Sequence, residues 1–234
     1  MKSFLYQSFD GYRFNSDSIF LFQFIKEFKI KGDVLDIGTG VGILTILMAK
    51  FFKANYFIVE KQKDMLKYAV KNFEVNKVNP IIYQGDFIEK NITKQFDFII
   101  SNPPFYRVDK NKSQNSSINI ARYEEHLPLN LLASKVSRLL KPRGYFIFCY
   151  DAKLIDEVLK ELKEYRLQPE VIRFVHPKID KEANIVLIAA RKNSKAMTKV
   201  LPPLVVFNSD NSYTTKAKEA FKIANTHSIK ASYD

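Results

Sequence analysis

Cysteine is nearly absent from the chain: one residue, Cys149, among 234. A single thiol excludes an internal disulfide framework and any cysteine-rich metal site. Cys149 lies in the apolar run Phe146-Ile147-Phe148-Cys149-Tyr150 and reads as a buried strand residue. Histidine is almost as scarce. His126, His176 and His227 are too scattered for a zinc-ligand spacing, so no metal is expected. Long apolar runs are missing too. None approaches the ~20 residues that a membrane helix needs. The start carries Lys2, Asp10 and Arg13 where a signal peptide would be apolar. A soluble, cytoplasmic protein with no membrane partner is the expectation. Acidic residues are outnumbered, 25 Asp+Glu against 37 Lys+Arg, and the resulting formal charge of +12 favours a polyanionic partner such as nucleic acid.

What is present is enough for one α/β domain with small additions, since 46% of the residues are hydrophobic. From Gly32 onward, short apolar runs alternate with segments of helical period. Residues 33–37, 56–60, 81–83, 96–101, 144–150, 171–175 and 185–189 read as strands. Residues 43–52, 63–76, 129–140 and 153–165 read as helices. Such alternation predicts a doubly wound, mostly parallel sheet with helices on both faces. Residues 32–192 form this core. An arm, residues 1–31, is rich in Phe and amphipathic from 18 to 28, with Asp17 or Ser18 as the helix cap. A C-terminal extension of the same domain, 193–234, contains Pro202-Pro203, an apolar Leu204-Val205-Val206-Phe207 and a helical stretch over 214–224. Residues 107–120 are polar and aperiodic, and a loop that long is usually functional or disordered.

Ligands of such sheets bind beyond the carboxyl ends of the strands. The loop Asp36-Ile37-Gly38-Thr39-Gly40-Val41-Gly42 sits at such an end and opens a helix. It lacks the Gly-Lys-Ser/Thr of a P-loop, and position 43 is Ile, which breaks the G-x-G-x-x-G of a dinucleotide site. An acid just before the loop also suits a cationic ligand better than a pyrophosphate. Glu60, ending the second core strand, can accept from two ribose hydroxyls, and Asp86, in Gln84-Gly85-Asp86-Phe87, from an exocyclic amine. An acid, a glycine turn and these two carboxylates fit S-adenosylmethionine, which has an adenine, a ribose, a cationic sulfur and no phosphate. The expected cofactor contacts are Asp36, Gly38, Thr39, Gly40, Gly42, Glu60, Lys61, Asp86, Phe87 and Asn102.

Asn102-Pro103-Pro104-Phe105 follows the strand run 96–101. Two prolines end ladder pairing and stiffen the turn, which fixes the Asn amide and nearby carbonyls beside an aromatic ring. That arrangement suits a flat, amine-bearing group such as adenine.

Together with the glycine loop, Glu60 and Asp86, the tetrad resembles the Rossmann-like amino methyltransferases. The resemblance implies a doubly wound, mostly parallel seven-stranded sheet with one antiparallel strand. It implies that Asn102, Pro103, Pro104 and Phe105 hold a planar nitrogen nucleophile. The arm, with Gly11-Tyr12-Arg13-Phe14 and Asp17-Ser18-Ile19-Phe20-Leu21, is similar to the bacterial tRNA (adenine-N6)-methyltransferases that modify valine tRNA next to the anticodon. So are Ala121-Arg122-Tyr123-Glu124 and the tail Asn211-Ser212-Tyr213. This implies a tRNA partner, with Asp17, Phe105, Tyr106, Arg107 and Arg122 as substrate contacts. A protein-glutamine methyltransferase is the nearest rival, because a glutamine amide is also a flat nitrogen nucleophile. The positive charge and the terminal matches favour RNA. A DNA adenine methyltransferase would need an additional recognition region, and a silent binding module need not keep Asn102.

Overall fold

In the computed structural model, which describes residues 2–9, 14–105 and 127–232, the apolar runs assemble into one large sheet. The chain opens with β1 (Ser3–Gln7) and α1 (Ser16–Ile25). It then alternates through β2 (Gly32–Ile37), α2 (Ile43–Phe51), β3 (Ala54–Glu60), α3 (Lys63–Asn76), β4 (Ile81–Gln84) and β5 (Phe96–Ser101). Next come α4 (Leu129–Leu139), β6 (Leu140–Asp151), a 3-10 turn (Ala152–Leu154), α5 (Ile155–Glu164), β7 (Leu167–His176) and β8 (Ile185–Lys192). The tail adds β9 (Lys199–Val200), β10 (Leu204–Val205), α6 (Thr215–Ala224) and β11 (Thr226–Lys230).

The sheet order is β10-β7-β8-β6-β5-β2-β3-β4, with β9 also on β7. Only β8 runs antiparallel to its neighbours, β6 and β7. The expected seven strands with one antiparallel member are there. The count is corrected to nine among the described residues, because the tail lays two short strands parallel to β7. β2 pairs with β3 on one side and β5 on the other, so strand order reverses there and opens a crevice at the carboxyl edge. Glu60, Asp86 and Asn102 lie at or just after the ends of β3, β4 and β5 on that edge.

The two ends of the chain hold each other. β1 pairs in parallel with β11, from Ser3↔Thr226 to Gln7↔Lys230. Asn72 of α3, fully buried, fixes this pair to the core. Its amide exchanges bonds with Tyr6, taking the N–H at 2.6 Å and donating to the carbonyl at 3.0 Å, and also donates to the Val41 carbonyl at 2.9 Å. One side chain thus ties arm, helix and glycine loop. The cap of α1 is Asn15, whose side chain accepts from the Asp17 N–H at 3.1 Å, and not Asp17 or Ser18. Residues 15–18 are all cap types, and the helix takes the first of them. No described helix is long and apolar enough to cross a membrane.

Candidate active site

The glycine loop is shaped from behind by Asp36. This residue is 1% exposed, and its Oδ2 accepts from Thr39 Oγ1 at 2.7 Å and Thr45 Oγ1 at 2.8 Å. Its Oδ1 has no partner among the described residues. Burial pushes the carboxyl up to about 6, against the opposing bonds from the two threonines. The loop then turns: the Gly38 N–H donates to the Val59 carbonyl at 2.9 Å, and the Gly42 N–H to the Thr39 carbonyl at 2.9 Å. Gly38 and Gly40 adopt left-handed φ of 67° and 57°, and a Cβ on either would point into open space.

Gly42 is crowded instead. At φ 86° it precedes α2, and a Cβ there would sit 2.7 Å from the Phe73 ring. Gly42→Ala therefore combines a left-handed penalty with overpacking. A loss of roughly 2 kcal/mol or more is expected in urea unfolding. Unchanged stability would show that the α2–α3 contact yields freely.

A cavity of about 880 Å³, open to solvent, lies over the loop. Its lining includes Gly38, Thr39, Gly40, Glu60, Lys61, Asp86, Phe87, Asn102 and Pro104. Glu60 is 5% exposed, and it spans the floor: Oε2 accepts from the Gly40 N–H and Oε1 from the Gln62 N–H, each at 2.8 Å. Burial raises this carboxyl above its ordinary value, while backbone donors from Gln62, Gly40 and Lys61 oppose the rise. Of about four acceptor sites on the carboxylate, these three donors leave one for a hydroxyl. Asp86 is balanced the other way. Burial would raise it, but Lys61 Nζ at 2.7 Å and the Ile88 N–H at 2.7 Å prevail and hold it below its ordinary value. Lys135 fastens this turn by donating to the Ile88 and Lys90 carbonyls at 3.0 and 2.6 Å.

Asn102 closes the cavity from the β5 side. Its Nδ2 donates to Ser18 Oγ at 3.0 Å, and its Oδ1 accepts from the Cys149 thiol at 2.8 Å. Cys149 is fully buried, and burial pushes its thiol well above the ordinary value, so it stays a donor. An amide oxygen has two lone pairs. One is taken by the thiol, and the other is left for an incoming amine. Pro104 lines the cavity beside it, while Phe105 does not. Phe105 is 5% exposed, and its ring centroid lies 5.6 Å from that of Tyr150, so it packs under the turn.

The structure thus gathers eight of the expected cofactor contacts around one space. Asp36 stands behind the lining and acts through Thr39, and Gly42 shapes the loop without facing the space. Asp17 lies off this cavity, one residue from Ser18, which does line it. Tyr106, Arg107, Arg122 and the 107–120 loop lie outside the described residues, as do Gly11, Tyr12 and Arg13. The sequence reading missed Ser18 and Cys149 as partners of Asn102. For Cys149 it is the register of β5 on β6, Ser101 against Phe148, that places Asn102 opposite the thiol, and no local pattern in the sequence sets that register. Among the described residues, no group of three or more His, Cys, Asp or Glu side chains could share a metal ion.

The donor set fits S-adenosylmethionine: open glycine faces, a remaining acceptor site at Glu60, a second carboxylate at Asp86, and an orphaned buried carboxylate oxygen behind the loop. Comparisons with known proteins agree with the class. A relative from Cytophaga hutchinsonii, a tRNA1(Val) (adenine(37)-N6)-methyltransferase, is 28% identical over 81% of this chain and 80% of its own. One of the same description from Phocaeicola vulgatus is 31% identical over 67% of this chain and 68% of its own. A solved methyltransferase from Pyrococcus furiosus superposes with a TM-score of 0.59 over 80% of this chain and 88% of that one, at 22% identity, which is a likeness of fold. The methyltransferase small domain model matches residues 8–128, from the arm through the tetrad, and the chain belongs to that family.

Proposed function

We propose that the protein transfers a methyl group from S-adenosylmethionine to the N6 amine of an adenosine in tRNA, the adenosine at position 37 of a valine tRNA. The observation that carries this reading is the Asn102 amide, fixed on two sides and opening onto the same cavity as the glycine loop, Glu60 and Asp86. The two relatives described above carry that activity in their names. The charge of +12 supports an RNA partner. Residues 32–192 serve as the methyl-transfer core, with the 1–31 arm and the 193–234 tail as parts of the same domain. A tRNA substrate gives the protein a cytoplasmic place of work.

The cofactor supplies an electrophilic methyl group on a cationic sulfur. Glu60 holds a ribose hydroxyl, and Asp86 accepts from an exocyclic amine. The N6 lone pair of adenine is delocalised into the ring and is a poor nucleophile. Hydrogen bonds from N6 to the Asn102 oxygen and the Pro103 carbonyl localise that pair and aim it. Rate then comes from positioning and from acceptors matched to positive charge developing on nitrogen.

The test is mass spectrometry of nucleosides from purified tRNAs, with and without the gene. Loss of N6-methyladenosine from one valine tRNA is expected, restored when the protein and cofactor are added in vitro. No change in any RNA would overturn the substrate and redirect the search to glutamine side chains.

A further inference from the structure

A second cavity, about 490 Å³ and open to solvent, lies on the same edge of the sheet, between the start of α1, the β7–β8 turn and the tail. Its walls include Asp17, Phe20, Asn184, Phe207, Tyr213 and Phe221. The rings are built in. Phe207 and Tyr213 stack at 4.9 Å and 25°, and Tyr213 meets Phe221 edge-on at 5.0 Å. Tyr213 remains 42% exposed.

The tail turn that carries Tyr213 is held rigidly. Asn211 takes a left-handed φ of 66°, Asn208 Nδ2 donates to Ser212 Oγ at 2.9 Å, and Phe207 and Tyr213 form a β-bridge. Thr214 returns bonds to the Val205 and Val206 carbonyls. The Asn211-Ser212-Tyr213 segment therefore has a physical purpose: two residues close the turn, and the third presents a ring.

The polar side of the cavity is an acceptor. Asp17 is half-buried, and its Oδ2 accepts from Asn15 Nδ2 at 2.6 Å. Next in the chain to Pro177, which lines the cavity, Lys178 Nζ donates to the Ser209 carbonyl at 3.2 Å, which brings a cation to the tail turn. Aromatic faces, an acceptor and a neighbouring cation are the parts that hold a nucleotide: base stacking, an edge contact and a phosphate contact. The two cavities are also joined. Asp17 lines this one and Ser18 the other, Ser18 holds Asn102, and the charge on Asp17 is felt at Cys149 behind the same amide.

We propose that this second cavity binds a nucleobase neighbouring the target adenine in the RNA, stacked on Tyr213 and hydrogen-bonded through an N–H edge to Asp17. The proposal rests on the RNA reading above. It explains how a site that accepts a bare adenine would select a sequence context.

The experiment uses the full chain, S-adenosylmethionine and synthetic anticodon stem-loops, either intact or carrying an abasic residue on one or the other side of the target. Wild type is expected to lose roughly tenfold or more in kcat/KM on one of the abasic RNAs, the size of a lost base–aromatic stack. Tyr213→Ala is expected to show that loss on the intact RNA and no further loss on the abasic one. Tyr213→Phe keeps the ring and restores wild-type behaviour, which separates stacking from misfolding. Equal activity of Tyr213→Ala and wild type on every RNA, or losses that multiply, would overturn the second site while leaving the methyl-transfer reading intact. Absence of transfer to any RNA by wild type would overturn both.

Discussion

Asn102→Ala is expected to lower kcat by at least about a hundredfold while cofactor affinity stays within about threefold. The Asn102 amide opens onto the cavity with its orientation fixed by two partners, Ser18 and Cys149. Removing it deletes the acceptor that localises the amine lone pair. The glycine loop, Glu60 and Asp86 stay in place, since none of their hydrogen bonds passes through Asn102. Single-turnover methylation measures the first effect and titration calorimetry the second. A variant that methylates near the wild-type rate would sink the mechanism. One that loses cofactor binding and rate together would mean that Asn102 serves the cofactor first. Cys149→Ala is the graded control. It removes only the donor behind the amide, so it is expected to cost less than about tenfold, the worth of one modest hydrogen bond.

That control could not have been designed from residue types alone, and the reason is instructive. The glycine loop, Glu60, Asp86 and Asn102 were legible because each follows a strand whose apolar period is plain. The alternation rule then places all strand ends on one edge. Ser18 was legible only as part of a helix start. Its contact with Asn102 spans 84 positions and depends on how α1 crosses the sheet. β1 and β11 were not legible at all. Ser3–Gln7 and Thr226–Lys230 pair across almost the whole chain, and the Thr-His-Ser-Ile-Lys run has neither alternation nor a long apolar stretch. β1 is seated on α3 by Asn72, which no local pattern flags. Phe105 shows what residue types leave open: an aromatic after a proline turn can face a ligand or pack inward, and here its ring lies against Tyr150.

Asp36 yields the other large effect, and it is a dependence on pH. Its folded-state value of about 6 stands above the ordinary 3.8, a gap worth about 3 kcal/mol. The folded protein therefore binds more protons than the unfolded chain between these values. The penalty for ionising Asp36 is absent below about pH 4, grows as pH rises to about 6, and is complete at neutrality. Asp33, Asp86 and Asp97 are held below their ordinary values and act in the opposite sense at lower pH, so the wild-type curve alone does not isolate the effect. The difference between Asp36→Asn and wild type removes those groups and carries Asp36 together with the part of the Glu60 rise that the Asp36 charge causes, which has the same sign. Asparagine keeps an oxygen for Thr39 and Thr45, and its amide hydrogens replace the unpartnered Oδ1 at a cost that does not vary with pH. The stability of Asp36→Asn relative to wild type is expected to rise by about 3 kcal/mol from about pH 3 to about pH 7 in urea titrations, most of it above about pH 4. A flat difference curve would mean that Asp36 ionises without penalty. The same burial gives the residue its use beside the loop. A cationic ligand there holds the carboxylate ionised, so cofactor binding at pH 6 is expected to release up to about half a proton per site, read by calorimetry in buffers of different ionisation enthalpy. Asp36→Asn should bind without that release. Equal release from both proteins would assign the proton to another group and leave Asp36 only its role in shaping the turn.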